Sequence, residues 1–143
     1  MEISPVTEND LPELSRLYQQ LIPNDISIPK MKKVLDRNKD NSNHIILVAR
    51  DNGKLVGTLL AATCEMLFGQ CKSFMVVEDV IVDEAHRRSG VGVALIQHIE
   101  GYAKNNNCSY IMLVTDIDRV GSQKFYESLG YKTKEYCAFK KQL

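Results

Sequence analysis

The run KSFMVVEDVIV at 72–82 feeds, through the joint HRRSGVG at 86–92, into GVGVALIQHIEGYAKNN at 90–106. Near-continuous apolar content over the first stretch predicts a strand covered on both faces. In the last stretch Val91, Leu95, Ile96, Ile99 and Ala103 fall on one helical stripe. A strand covered on both faces and followed at once by an amphipathic helix requires a layered α/β architecture. The joint adds a second constraint. A glycine in a helix interior costs about 1 kcal/mol relative to alanine, so Gly90 and Gly92 in the opening turn imply that something approaches the backbone closely.

The remaining chain can be placed around this unit. Met1–Val6 is a short strand, and Thr7 followed by Asp10 three residues later resembles a capping box ahead of a helix whose one face carries Leu11, Leu14, Leu17, Tyr18 and Leu21. Pro23 and Pro29 punctuate the next segment, in which KMKKVLDRN is a short second helix. HIILVAR and KLVGTLLAATCEML are strands joined at Asn52-Gly53, a pair favoured in tight hairpin turns. Phe68-Gly69-Gln70 turns the chain into the 72–82 strand. After the glycine joint and its helix come SYIMLVTD as a buried strand, SQKFYESLG as a short helix and YKTKEYCAFKK as a closing strand. The predicted order is β-α-α-β-β-β-α-β-α-β, a mixed central sheet with helices on both faces. No repeat or linker divides the chain, so residues 1–143 are expected to form one domain.

Eighteen basic residues balance eighteen acidic ones, which argues against nucleic acid or an anionic membrane as the main partner. The amino terminus lacks the layout of a secretory signal and no apolar run approaches a membrane span, so a cytoplasmic protein is expected. Cys64, Cys71, Cys108 and Cys137 lack paired short spacings, which predicts free, buried or half-buried thiols and no zinc site. His44, His86 and His98 are scattered and are expected to be structural or surface residues; no metal is expected.

A glycine-containing strand-to-helix joint aims backbone N–H groups and the positive end of the helix dipole at one point, which suits a phosphate or pyrophosphate. Arg87 and Arg88 add charge at the same mouth. The alternative is that Gly90 and Gly92 only shape the turn while the arginines are solvated. The dinucleotide fingerprint would need glycine where Leu95 stands, and the P-loop would need Gly-Lys-Ser/Thr.

The sequence resembles the GNAT superfamily of acetyl-coenzyme A-dependent N-acetyltransferases. Arg87, Gly90 and Gly92 match its Arg/Gln-x-x-Gly-x-Gly/Ala signature. Phe125-Tyr126-Glu127-Ser128-Leu129-Gly130-Tyr131 matches its Phe/Leu-Tyr-x-x-x-Gly-Phe/Tyr signature, and ISPVTENDLPELSRLYQQL resembles its first strand and helix. Many members carry Asn some seven residues before the tyrosine, where this chain has Arg119. The resemblance implies that the pyrophosphate of acetyl-coenzyme A lies on the amides of Arg88, Ser89, Gly90, Val91, Gly92 and Val93, with Arg87 and Ser122 also contacting the ligand. It also implies that the pantetheine arm pairs with Val80, Ile81 and Val82, between strands that splay apart. The implied partner is a primary amine of a small molecule: an amino sugar, amino acid or polyamine-like compound. A protein N-terminus or lysine as acceptor, and a non-catalytic acetyl-coenzyme A binding module, stay open, as does a homodimer.

Acyl transfer from a thioester to an amine needs a neutral nucleophile, a donor for the oxyanion and a proton for the departing thiolate. Glu78 and Asp79 lie within the apolar run FMVVEDVIV, where strand alternation predicts opposite faces. Glu78 is the preferred base, expected on a face with Val76, Val80 and Val82, its pKa raised by apolar neighbours. Tyr126 matches the family tyrosine that protonates the thiolate, and a backbone N–H of Val80 or Val82 would meet the oxyanion. VEDVIV also resembles the corresponding strand of glucosamine-phosphate acetyltransferases.

Overall fold

Thr7 opens the first helical segment. In the computed structural model, which describes residues Met1–Leu143, the Asp10 carboxylate accepts hydrogen bonds from the Thr7 amide (2.7 Å) and hydroxyl (2.8 Å). This satisfies donors that a helix start leaves orphaned. A 3-10 turn over Glu8–Asp10 then leads into helix α1 (Leu11–Leu21). Helix α2 (Ile28–Asn38) starts at Ser27, whose hydroxyl accepts from the Lys30 amide. Pro29 therefore lies inside its first turn and not ahead of it, at a position where the missing N–H has no intrahelical partner to lose.

Strands β1 (Glu2–Pro5), β2 (His44–Asp51), β3 (Lys54–Cys64) and β4 (Ser73–Val82) pair antiparallel in that order. Asn52 and Gly53 both take positive φ, 49° and 79°, the geometry that matches a two-residue turn to the strand twist. A second 3-10 turn, Glu84–His86, leads to helix α3 (Val91–Asn105), which carries the chain over to β5 (Cys108–Leu113) at the far edge of the five-stranded sheet. The Ser109 hydroxyl donates to the Ser73 carbonyl (3.1 Å) and Tyr110 stacks on Phe74 at 5.2 Å, so β5 starts beside the start of β4 and runs parallel to it. Residues 1–112 form one compact unit and residues 113–143 a second.

Side-chain parity assigns the faces of the sheet. Leu11, Leu14 and Leu17 of α1 bury against Val48, Leu55 and Ile81, with Met31 and Leu35 of α2 packed alongside. The opposite face receives α3, whose buried residues are the five predicted: Val91, Leu95, Ile96, Ile99 and Ala103. Here Gly57 is essential. A Cβ on it would stand 2.8 Å from Val91 Cγ1, 3.0 Å from Leu95 Cδ1 and 3.2 Å from the Ile81 carbonyl oxygen, so only glycine lets the first turn of α3 rest on β3. Gly57→Ala should destabilise the fold by about 1–3 kcal/mol through overpacking. A lower urea midpoint at unchanged m-value would register this; an unchanged midpoint would mean that α3 has slack at its start.

Three expectations are corrected. The closing strand at 131–141 does not form: residues 129–143 have no strand. Four lysines punctuate this stretch, Tyr136 and Phe139 are 78% and 95% exposed, and a strand with no buried face lacks both register and stabilisation. Local contacts hold its beginning, with Lys132 paired to Glu135 (3.1 Å) and the Thr133 hydroxyl donating to Glu127. Strand β5 is also not a buried strand. As the edge of the sheet it leaves Tyr110 and Met112 exposed. All four cysteines are free, Cys64 and Cys108 half-buried, Cys71 and Cys137 exposed and so more open than expected.

Candidate active site

The register of β3 against β4 slips by one residue in the middle of the predicted carboxylate pair. Leu60 faces Glu78 but Thr58 faces Ile81, so β4 spends an extra residue at Asp79-Val80. That extra residue is a β-bulge, with Asp79 at φ 51°, a left-handed conformation that aspartate tolerates better than most side chains. The bulge overturns the expected face assignment. Glu78 shares a face with Val76 and Ile81, whereas Val80 and Val82 lie on the other side, with Gly57. Nor is Glu78 enclosed by valine and isoleucine: Glu78 and Asp79 are both exposed, because the bulge tips the backbone out of the pleat. Ten-residue β4 outlasts six-residue β5, so the backbone edge of Val80–Val82 runs past the end of its neighbour.

The strand ends at Val82, and after Asp83 the chain makes the glycine joint. Arg88 (φ 63°) and Gly90 (φ 86°) both adopt left-handed conformations, and Gly90 is the N-cap of α3. The Ala94 amide bonds back to the Gly90 carbonyl (3.0 Å), so the Val91, Gly92 and Val93 amides precede the first intrahelical donor and lie in the opening turn. Arg87, Arg88, Ser89 and Gly90 are exposed, Gly92 and Val93 half-buried, and Val91 buried. A Cβ on Gly90 meets nothing within 4 Å, so open space lies in front of the backbone where the sequence predicts an anion. Arg87 reaches Glu84 at 3.4 Å, a weak exposed pair, and the Ser89 hydroxyl donates to the His86 carbonyl.

Helix α1 borders both features with residues that no sequence motif marks as functional. Tyr18 packs against the Val48–Leu55–Ile81 cluster. Burial, reinforced by the nearby Asp79 charge and partly offset by a hydrogen bond with Thr58, pushes its phenol up to about 12, so Tyr18 is protonated throughout the neutral range. Two residues to either side, Arg16 and Gln20 reach Asp83, which is 4% exposed. Arg16 Nη1 donates to Asp83 Oδ2 (2.8 Å) and Gln20 Nε2 to the same oxygen (3.3 Å), while Oδ1 accepts from the Ala85 amide (3.1 Å) and lies 3.2 Å from His86 Nδ1. The Arg16 guanidinium holds the Asp83 carboxyl far below the usual carboxylate range, against its burial.

In the second unit, helix α4 (Val120–Ser128) carries Tyr126 buried and Ser122 half-buried. The Tyr126 ring meets Phe125 edge-on at 5.0 Å and Tyr131 at 5.8 Å. Gly130, at φ 90°, ends the helix in the left-handed form common after a C-terminus, and the Tyr131 amide donates to the Tyr126 carbonyl (3.1 Å). Arg119, at the position where many family members carry Asn, caps α4 and pairs with Asp116 at 3.6 Å.

A model of the acetyltransferase (GNAT) family matches residues 11–131. The chain belongs to the GNAT acetyltransferase family. Its fold agrees: a candidate acetyltransferase from Agrobacterium tumefaciens superposes with a TM-score of 0.92 over the whole of both chains at 28% identity. An uncharacterized N-acetyltransferase of Methanocaldococcus jannaschii is 28% identical over 93% of this chain, which spans 61% of that relative's length. An aminoglycoside N(6')-acetyltransferase type 1 of Acinetobacter baumannii is 25% identical over all of this chain and 99% of its own. No helix of this GNAT chain is long and apolar enough to cross a membrane.

The predicted residues of the first unit thus form two adjoining groups: Glu78, Asp79, Val80, Ile81 and Val82 at the bulged end of β4, and Arg87 to Val93 at the mouth of α3. Only the ED pair inside an apolar run hinted at the bulge. Nothing local marked Tyr18 or Asp83 as part of the site; the α1 partners of Asp83 lie more than sixty residues away in sequence.

Proposed function

We propose that the protein transfers an acetyl group from acetyl-coenzyme A to a primary amine of a small molecule by direct attack, with residues 1–143 acting as one domain. The observation that carries this reading is the open, left-handed mouth of α3 directly downstream of a bulged strand bearing two exposed carboxylates. The family match, running from 11 to 131 across both compact units, supports the single domain, and the aminoglycoside acetyltransferase name of a full-length relative supports a small cationic amine.

Bound acetyl-coenzyme A would supply the thioester carbonyl and a thiolate leaving group. The amides of Arg88–Val93 hold the pyrophosphate, reinforced by the helix dipole and by the Arg87 and Arg88 side chains, while Ser122 contacts the same ligand. The Val80–Val82 edge pairs with the pantetheine arm, and the Val80 or Val82 amide meets the developing oxyanion. Glu78 or Asp79 attracts the ammonium form of the acceptor and takes its proton, directly or through water. Neither carboxylate belongs to an ion pair of the structure, so both are available to a cation. Tyr126 protonates the thiolate.

Glu78→Gln and Asp79→Asn remove each proton acceptor with little change in shape. Thiol release from acetyl-coenzyme A, screened against amino sugars, amino acids, polyamines and aminoglycosides, should identify an acceptor with the parent protein. One of the two variants should then lose about 10²-fold in turnover at neutral pH. Full turnover in both would assign proton removal to water alone, and no thiol release with any amine, peptides included, would contradict the transferase reading.

A further inference from the structure

The cluster around Asp83 takes no part in the chemistry proposed above, yet it is the most fully satisfied polar group near the site. We propose that Asp83 is a positioning residue: it fastens helix α1 to the start of the 84–93 loop and so holds the loop amides in the arrangement that receives a pyrophosphate. The inference rests on the reading that this loop is the coenzyme A site.

The donors to Asp83 come from two different elements. Arg16 and Gln20 belong to α1, whereas the Ala85 amide and His86 belong to the loop. Gln20 closes the arrangement from the other side, its Oε1 accepting from the Glu84 amide (3.1 Å). The backbone of Asp83 is itself fixed, with its N–H on the Val56 carbonyl (2.8 Å) and its carbonyl accepting from the His86 amide (2.8 Å). The hub is therefore pinned to the sheet, and both α1 and the loop are referred to it. A buried carboxylate is tolerated only when paired and hydrogen-bonded, and Asp83 meets that condition with partners that dictate direction, which an apolar residue of the same size could not do.

Beyond His86 the loop has few restraints. Arg87 to Gly90 are exposed, two of them in left-handed conformations, so their placement depends on the anchor at each end: α3 on Gly57 and Asp83 on α1. Loosening either end would add an ordering cost to ligand binding. The same stretch of α1 carries Tyr18 over the bulge, so the hub also sets α1 relative to the carboxylates.

The test uses Arg16→Met, because the Arg16 side chain is 44% exposed and its loss leaves Asp83 with three other partners. Calorimetric titration with coenzyme A should show binding about tenfold weaker than the parent. Amides 84–90 of the free protein should exchange with deuterium faster while those of β2 and β3 stay unchanged, and Arg16→Lys should recover part of both. Asp83→Asn should give the same pattern more strongly. Parent-like coenzyme A affinity in Arg16→Met, or parent-like exchange at 84–90, would overturn the proposal. A parent that binds no coenzyme A would instead overturn the underlying reading of the loop, and with it this role for Asp83.

Discussion

Tyr126→Phe is expected to slow acetyl transfer roughly ten- to a thousandfold, within the range that a positioned acid or base supplies, while acetyl-coenzyme A affinity stays near the parent value. The ring contacts to Phe125 and Tyr131 do not involve the hydroxyl and survive the change. Removing the hydroxyl costs about 1 kcal/mol of stability if it is hydrogen-bonded, too little to unfold an ordinary domain. Pre-steady-state thiol release and a thermal melt separate the outcomes. Full activity would mean that the thiolate takes its proton from water, and a loss of many degrees in melting temperature would make Tyr126 a core residue only.

Gly90→Val should weaken coenzyme A binding by two orders of magnitude or more, because an anion seated on the opening amides of α3 would meet a branched side chain where the backbone is now bare. The structure separates this steric effect from the cost to the fold. A Cβ on Gly90 touches nothing in the protein, so the folding penalty is only that of a β-branched residue at φ 86°, about 1–2 kcal/mol. Gly90→Asn is the companion variant: asparagine accepts left-handed φ more readily, so it should fold nearly as well as the parent and still bind poorly. If both variants bind coenzyme A as tightly as the parent, no pyrophosphate sits at this turn.

The features legible in the sequence were those written in local periodicity. The α3 stripe is recoverable from 3.6-residue spacing because each of its side chains answers to the same sheet face, and the Asn52-Gly53 hairpin because that dipeptide encodes its own φ angles. The bulge at Asp79 could not be read in this way. An extra residue in one strand is defined only against its partner, and β3 carries no mark of where Leu60 and Thr58 pair; strict alternation therefore puts Glu78 on the wrong face and inside apolar surroundings it does not have. Asp83 and Tyr18 escape for the same reason, since an aspartate after a strand and a tyrosine on a leucine-rich helix look ordinary until folding brings α1 beside the end of β4. At 131–141, tyrosine, phenylalanine and cysteine suggest a strand, but the lysines between them and the lack of a covering face decide otherwise.

The central claim is that the mouth of α3 seats the pyrophosphate of coenzyme A, and titration of isotope-labelled protein with coenzyme A, followed amide by amide by NMR, tests it most directly. The largest shifts should fall on the amides of Arg88 to Val93, with smaller ones along Val80–Val82, and adenosine lacking phosphates should leave Arg88 to Val93 unmoved. Shifts centred elsewhere in the chain, or none at millimolar coenzyme A, would contradict the account.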